Sequence, residues 1–299
     1  MSRPTFFART VLPWTSPLSS TIFMPGIVSV LTCHFRGTGL HTGRDVAMHL
    51  LPAPAGSGII LERTDLGGAE IPALAAYVGS TQRSTCLSRE GVEVHTVEHL
   101  LSACAGFGID NLRVQLDAPE VPILDGSAAP YAAAFREAGL EEQDAPRREI
   151  VLSGPFEFTA GESLIRFEPA DRFSAEVEID FHSQVIGLQK ALFTDGDDYA
   201  AALAPCRTFC FLQEVEFLRR NNLIKGGSLD NALVIDEPRG YLNNTPLHFP
   251  NECARHKLLD LLGDLALAGA PLRARVTAVK PGHSVNTAAL RALLTRLNA

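Results

Sequence analysis

From Met24 onward, apolar and polar positions alternate with a period of two, the pattern of half-buried strands. IVSVLTCHF (27–35) runs into the glycine-punctuated turn RGTGLHTG, and DVAMHLLPA (45–53) returns from it. GIILERTD (58–65) is a further strand. The period then lengthens: Thr96 to Ala105 is predicted as a helix closed by Gly106 and Gly108. NLRVQLD (111–117) is a strand, PILDGSAAP a turn, and Tyr131 to Ala138 a helix. Strands resume in IVLSGPFEFTA (150–160), SLIRFEPA (163–170) and FSAEVEIDFH (173–182). Helices are predicted over Glu214 to Arg220 and Cys253 to Ala268. The strand RARVTAV and a helix from Asn286 to Leu297 close the chain.

Strands grouped with one main helical layer per half favour α+β over a doubly wound sheet. The polar stretch EEQDAPRRE (141–149) reads as a linker, dividing a first domain at 24–147 from a second at 148–299. GIDNLRVQLD (108–117) echoes SLDNALVIDE (228–237), which suggests two similar domains, each a β-sheet layer with helices.

Composition narrows the picture only slightly. The 299 residues are 46% apolar and 20% charged with net charge −8, values of an ordinary globular protein. With no basic tract, a nucleic-acid surface is not expected. Six cysteines without a C-x-x-C pair read as reduced, mostly buried thiols of a cytosolic protein. No run reaches the roughly 18 apolar residues that span a membrane. Residues 1–23 carry Arg3, Arg9, many Ser/Thr and no acid, as an organelle transit peptide does. The favoured reading is a disordered extension, or an upstream start with Met24 as initiator.

The chemistry gathers in three segments. HTVEHLLSACAGFGIDN (95–111) holds His95, Glu98 and His99, and H-x-x-E-H is the pattern of inverted zinc proteases, in which both histidines are ligands. In HKLLDLLGD (256–264), His256, Asp260 and Asp264 fall one helical turn apart and form a stripe on an otherwise apolar helix. That stripe is either a satisfied polar seam between domains or part of a metal site. A catalytic zinc takes three protein ligands and an open position. His99, His256 and Asp260 would supply them and leave Glu98 as general base. Third, His283 follows a Pro-Gly turn in KPGHSVN, where it can project into a cleft.

Together these segments resemble the UDP-3-O-acyl-N-acetylglucosamine deacetylase family, the zinc enzymes of the committed step in lipid A synthesis. The resemblance extends through GTGLHTG, STQRSTCL and CRTFCFLQEVEFLRRNNLIKGGSLDNALVIDE and covers residues 27–297 in order. It implies two facing α+β domains with the active site between them. By motif, the metal ligands would be His99, His256 and Asp260, holding Zn2+, with Fe2+ able to fill the same set. Glu98 would be the base. His283 would stabilise the oxyanion as a cation and protonate the leaving amine, Asp264 would orient it, and Thr208 would hydrogen-bond the tetrahedral intermediate. Lys257 and Lys280 match basic positions near the diphosphate, Lys257 also counting among the catalytic groups, and Phe181 an aromatic position at the nucleoside end. The segment from Phe209 to Gly227 matches the insert that passes the acyl chain, with Phe211, Leu212 and Val215 as its lining. His41 lies near the active site in the family, with no step assigned.

The resemblance also implies a cytoplasmic monomer whose partner is a UDP-linked acylated amino sugar, with no membrane-inserted segment. Pro281, Ser284-Val285 and HSQVIG at 182–187 depart from the common family pattern without touching the catalytic groups. Two other readings stay open: a zinc peptidase using His95 and His99, and a non-catalytic UDP-sugar or lipid-binding protein.

Overall fold

A computed structural model describes residues 25–29 and 32–298. The expectations for residues 1–23 lie outside the described residues. Six helices are described: α1 (Glu98–Gly106), α2 (Ala129–Ala138), α3 (Tyr199–Ala202), α4 (Leu212–Arg220), α5 (Glu252–Ala266) and α6 (His283–Leu297). None is long and apolar enough to cross a membrane.

The fold is α+β, and its two halves repeat one topology. The first sheet has the order Cys33–Thr38, Asp45–Pro52, Leu112–Leu116, Ile59–Arg63, Ala69–Pro72. Its central strand, Leu112–Leu116, pairs antiparallel with Asp45–Pro52 and parallel with Ile59–Arg63. The second sheet runs Phe156–Ala160, Ser163–Pro169, Leu272–Val279, Ser174–Ile179, Gln189–Thr194. There Leu272–Val279 is central, antiparallel to Ser163–Pro169 and parallel to Ser174–Ile179. In each half one helix precedes the central strand and one follows it: α1 and α2 in the first, α5 and α6 in the second. Both central strands alternate fully buried positions with less buried ones, so each turns one apolar face to a helical layer.

This topology corrects the sequence echo. Leu112–Leu116 corresponds to Leu272–Val279, whereas the echoing LVID at Leu233–Asp236 belongs to a separate three-stranded sheet with Phe209–Phe211 and Gly240–Tyr241. The inference of two similar domains holds, but the ten residues that prompted it are not equivalent. The polar linker is likewise structured in part, since Leu140–Pro146 pairs antiparallel with Pro25–Ser29. Between Leu140 and Ala145 it is polar at every position and none of its residues is buried, which is why it reads as a loop. IVLSGPFEFTA breaks at Pro155 into Ile150–Val151 and Phe156–Ala160, because proline cannot donate to a ladder.

The two domains meet through α1 and α5. Nearly every side chain of α5 is buried, including His256, Asp260 and Asp264, as expected of a helix enclosed on all sides. Gly263 allows the close crossing: a Cβ there would stand 2.1 Å from the Glu98 carbonyl oxygen. The six cysteines form no disulfides, and five of them are buried.

Candidate active site

Helix α1 begins two residues later than the sequence suggests. Thr96 takes left-handed backbone (φ 58°), and its Oγ1 donates to Glu120 Oε1 at 2.8 Å. That turn separates the two histidines of HTVEH. His95 leaves on the hairpin Leu87–Arg89/Val92–Val94, with Nε2 3.3 Å from Glu93. His99 enters the domain interface. The H-x-x-E-H helix of the peptidase reading is therefore not formed.

His99 meets the stripe on α5. Its Nε2 is 3.7 Å from Asp260 Oδ1, and His256 Nε2 is 3.4 Å from the same oxygen. The three side chains are nearly solvent-free, and one ligand atom from each lies within 4.8 Å of the others. Asp260 Oδ1 has no hydrogen-bond partner although it is buried. A bare carboxylate oxygen between two imidazoles is costly to bury unless a cation takes its lone pairs. His256 Nδ1 donates to the Cys206 carbonyl at 3.1 Å, which leaves the Nε2 lone pair directed at Asp260. The other Asp260 oxygen accepts from Lys257 Nζ at 2.7 Å. The donor set thus fits a divalent metal such as zinc.

The charge states follow from burial and neighbours. Burial, then His256, pushes His99 down to about 3, so its ring is neutral and able to ligate. Burial lowers His256 in the same direction. For Asp260 burial acts upward, but His256, Lys257, His283 and His99 outweigh it and hold the carboxylate ionised. Glu98, at the first turn of α1, is lifted to about 7 by burial, with Asp260 and Asp264 adding to this and His283 opposing it. Its Oε2 accepts the Thr85 N–H at 3.0 Å, and its Oε1 is 3.7 Å from His283 Nε2.

His283 is the first residue of α6, where the helix dipole opposes a cation. Burial opposes it too, yet Asp264, Glu98 and Asp260 raise the imidazole to about 9. Asp264 Oδ2 accepts from His283 Nδ1 at 2.9 Å and from Asn286 Nδ2 at 2.8 Å. Its Oδ1 accepts from Thr85 Oγ1 at 2.5 Å. Thr85 and Asn286 were not legible as site residues. Asn286 stands three residues after His283 on one helix, a spacing that places both on one face. Thr85 carries no such signal.

Glu98, His99, His256, Asp260 and His283 line a cleft of about 350 Å³. Thr208, Phe209, Lys257 and Lys280 also face it. Thr208 follows Arg207, whose guanidinium is fixed by the fully buried Glu252 (Nε–Oε1 2.9 Å). Lys257 Nζ stands 5.6 Å from the centre of the Phe209 ring. Lys280 Nζ reaches Glu162 at 2.6 Å. Phe181, 41% exposed, sits edge-on to Phe209 and Phe211 at 5.6 and 5.9 Å. Phe211, Leu212, Val215 and Gly227 lie outside the lining of this cleft, on the Phe209–Phe211 strand, α4 and the loop after it. His41 is buried, its Nδ1 accepting from the Ile224 N–H at 3.4 Å. A larger cavity, about 480 Å³, opens at the opposite end of α1 and α5 beside Ala105, Phe173 and Leu265, and it contains none of the ionisable groups named above.

Three buried donors drawn from two domains, with a carboxylate and a histidine beside them, define the class: a metal-dependent hydrolase. The sequence profile of UDP-3-O-acyl N-acetylglycosamine deacetylase (LpxC) matches residues 30–295. A Myxococcus xanthus (strain DK1622) protein named UDP-3-O-acyl-N-acetylglucosamine deacetylase is 47% identical over 262 residues, 87% of this chain and 83% of its own. An Anaeromyxobacter sp. (strain Fw109-5) protein of the same name is 46% identical over 259 residues, 86% and 84% respectively. The chain belongs to the UDP-3-O-acyl-N-acetylglucosamine deacetylase family, a family of metal-dependent amide hydrolases.

Proposed function

We propose that the protein removes the N-acetyl group from UDP-3-O-acyl-N-acetylglucosamine in the cytoplasm, releasing acetate in the committed step of lipid A synthesis. The observation that carries this reading is the partnerless Asp260 Oδ1 between two imidazole nitrogens, with Glu98 beside it. A zinc ion held by His99, His256 and Asp260 would lower the pKa of a bound water and polarise the acetamide carbonyl.

The chain's own groups do the rest. Glu98 titrates near neutrality, as suits a general base, and takes the proton of the attacking water. His283, kept protonated by Asp264, faces the charge that develops on the carbonyl oxygen, and Thr208 donates a hydrogen bond to it. As the C–N bond breaks, the departing amine takes either the proton Glu98 received from water or the one on His283. Lys257 holds the outer Asp260 oxygen and keeps Oδ1 free for the metal. Lys257 and Lys280 give the cleft the positive charge that a diphosphate requires, while Phe181 serves the nucleoside end. Phe211, Leu212 and Val215 offer an apolar path for the acyl chain next to Phe209. A non-catalytic binding protein would have no use for a buried glutamate with proton affinity raised to neutrality.

The test is acetate release from UDP-3-O-acyl-N-acetylglucosamine by the purified chain. Turnover lost on chelation and restored by zinc supports the reading; a zinc-replete, folded chain that releases no acetate refutes it.

A further inference from the structure

A second three-donor cluster lies outside the cleft. The geometry points to a second transition-metal site formed by Cys86, Glu93 and His95, one that takes a zinc-like divalent ion. This inference is independent of the deacetylase reading.

The hairpin builds the cluster by register. Leu87 pairs with Val94, so Cys86 and His95 are the next cross-strand couple. Glu93 lies two residues before His95 and shares its face. The side chains converge accordingly: Cys86 Sγ is 3.9 Å from His95 Nε2, and His95 Nε2 is 3.3 Å from Glu93 Oε2. The three ligand atoms all lie within 4.8 Å of one another. Zinc–sulfur and zinc–nitrogen bonds of about 2.3 and 2.0 Å at a tetrahedral angle put sulfur and nitrogen about 3.5 Å apart, a few tenths closer than here. A small rotation of the His95 side chain, 29% exposed, closes that gap, and Glu93, 51% exposed, has room to follow.

The backbone on both sides is pinned. The Cys86 N–H donates to Ser80 O at 2.9 Å and its carbonyl accepts from the Gly79 N–H at 2.8 Å. The His95 N–H donates to Pro119 O at 2.9 Å and its carbonyl accepts from the Val121 N–H at 3.1 Å. Cys86 is 1% exposed, while the His95 side chain is 29% exposed and opens the cluster to solvent. Without an ion the thiol makes weak contacts, to His95 Nε2 and to the Leu87 carbonyl at 3.6 Å. On binding, the thiol proton passes to solvent, and thiolate, carboxylate and neutral imidazole balance a dication with one position left open. Sulfur distinguishes the two sites, because His99, His256 and Asp260 offer nitrogen and oxygen only.

That difference supplies the experiment. In the full-length chain with its metal replaced by Co2+, the site gives a thiolate-to-cobalt charge-transfer band that the cleft cannot produce. The band is expected in the wild type and in His256→Ala, and absent in Cys86→Ser. His95→Ala and Glu93→Gln change one partly exposed and one exposed side chain and leave the backbone hydrogen bonds of the hairpin in place. Each should weaken Co2+ binding at this site by more than the 10–100-fold that loss of an outer partner costs. No charge-transfer band in the wild type, or one undiminished in Cys86→Ser or His95→Ala, overturns the site and leaves a weak thiol–imidazole contact beside a surface ion pair.

Discussion

The two domains share a sheet topology and the placement of their helices, but they divide the chemistry unequally. Helix α1 contributes at its first turn, where Glu98 and His99 are adjacent and point to different tasks. Helix α5 contributes from its middle, where His256 and Asp260 are one turn apart and Asp264 one turn further. A helix end can carry a buried carboxylate because free backbone N–H groups favour it. A helix middle has no such aid, so its polar stripe must be satisfied by side chains from elsewhere. His99, His283, Thr85 and Asn286 supply that need, and two of them come from the other domain. The site is thus a property of the pair of domains.

The contrast can be tested by removing one contribution at a time. The largest effect is expected for the α1 base: Glu98→Gln should lower kcat by about 10²–10⁴-fold. Metal content, measured alongside, should stay at the wild-type level because the proposed ligand set is His99, His256 and Asp260. On the α5 side, Arg207→Ala strands Glu252, which is fully buried, and should cost about 3–5 kcal/mol in chemical denaturation. The sign with pH follows from Glu252. Burial acts to raise its pKa, but Arg207 and two backbone N–H groups outweigh this and hold it below the ordinary 4.5. The stabilisation is therefore complete above that value and fades as pH falls through the lower folded value, so the gap between wild type and variant should narrow in acid.

At the crossing itself, Gly263→Ala pushes a methyl group against the Glu98 carbonyl and should destabilise by about 1–3 kcal/mol. Because it displaces α1 relative to α5, activity at a temperature where the variant is folded should fall as well. The smallest effect belongs to a bridge at the rim, Arg83 to Glu214 on α4, which is partly exposed. Arg83→Ala should cost at most about 1 kcal/mol in the same denaturation measurement.

What the sequence disclosed and what it withheld have physical causes. The candidate metal ligands were legible because a His-Asp stripe on an apolar helix conflicts with solvation, and because HTVEH carries its own glutamate. Asp264 was legible for the same reason. Thr85 was not, since a threonine next to a cysteine in STQRSTCL looks like any surface turn. The separation of His95 from His99 was hidden too. It depends on the left-handed Thr96, a conformation that neither propensity nor periodicity announces. The topological repeat was legible only through a coincidence, because the two central strands share a position in the fold rather than a readable motif.

The most direct test of a site assembled from both domains is acetate release by three alanine variants, His99→Ala, His256→Ala and His95→Ala, under zinc-replete conditions. The expected result is loss of turnover to background in the first two, which remove one proposed ligand from each domain, with substantial turnover kept in His95→Ala. Turnover abolished in His95→Ala and retained in His256→Ala would contradict the two-domain site and restore the single-helix H-x-x-E-H arrangement.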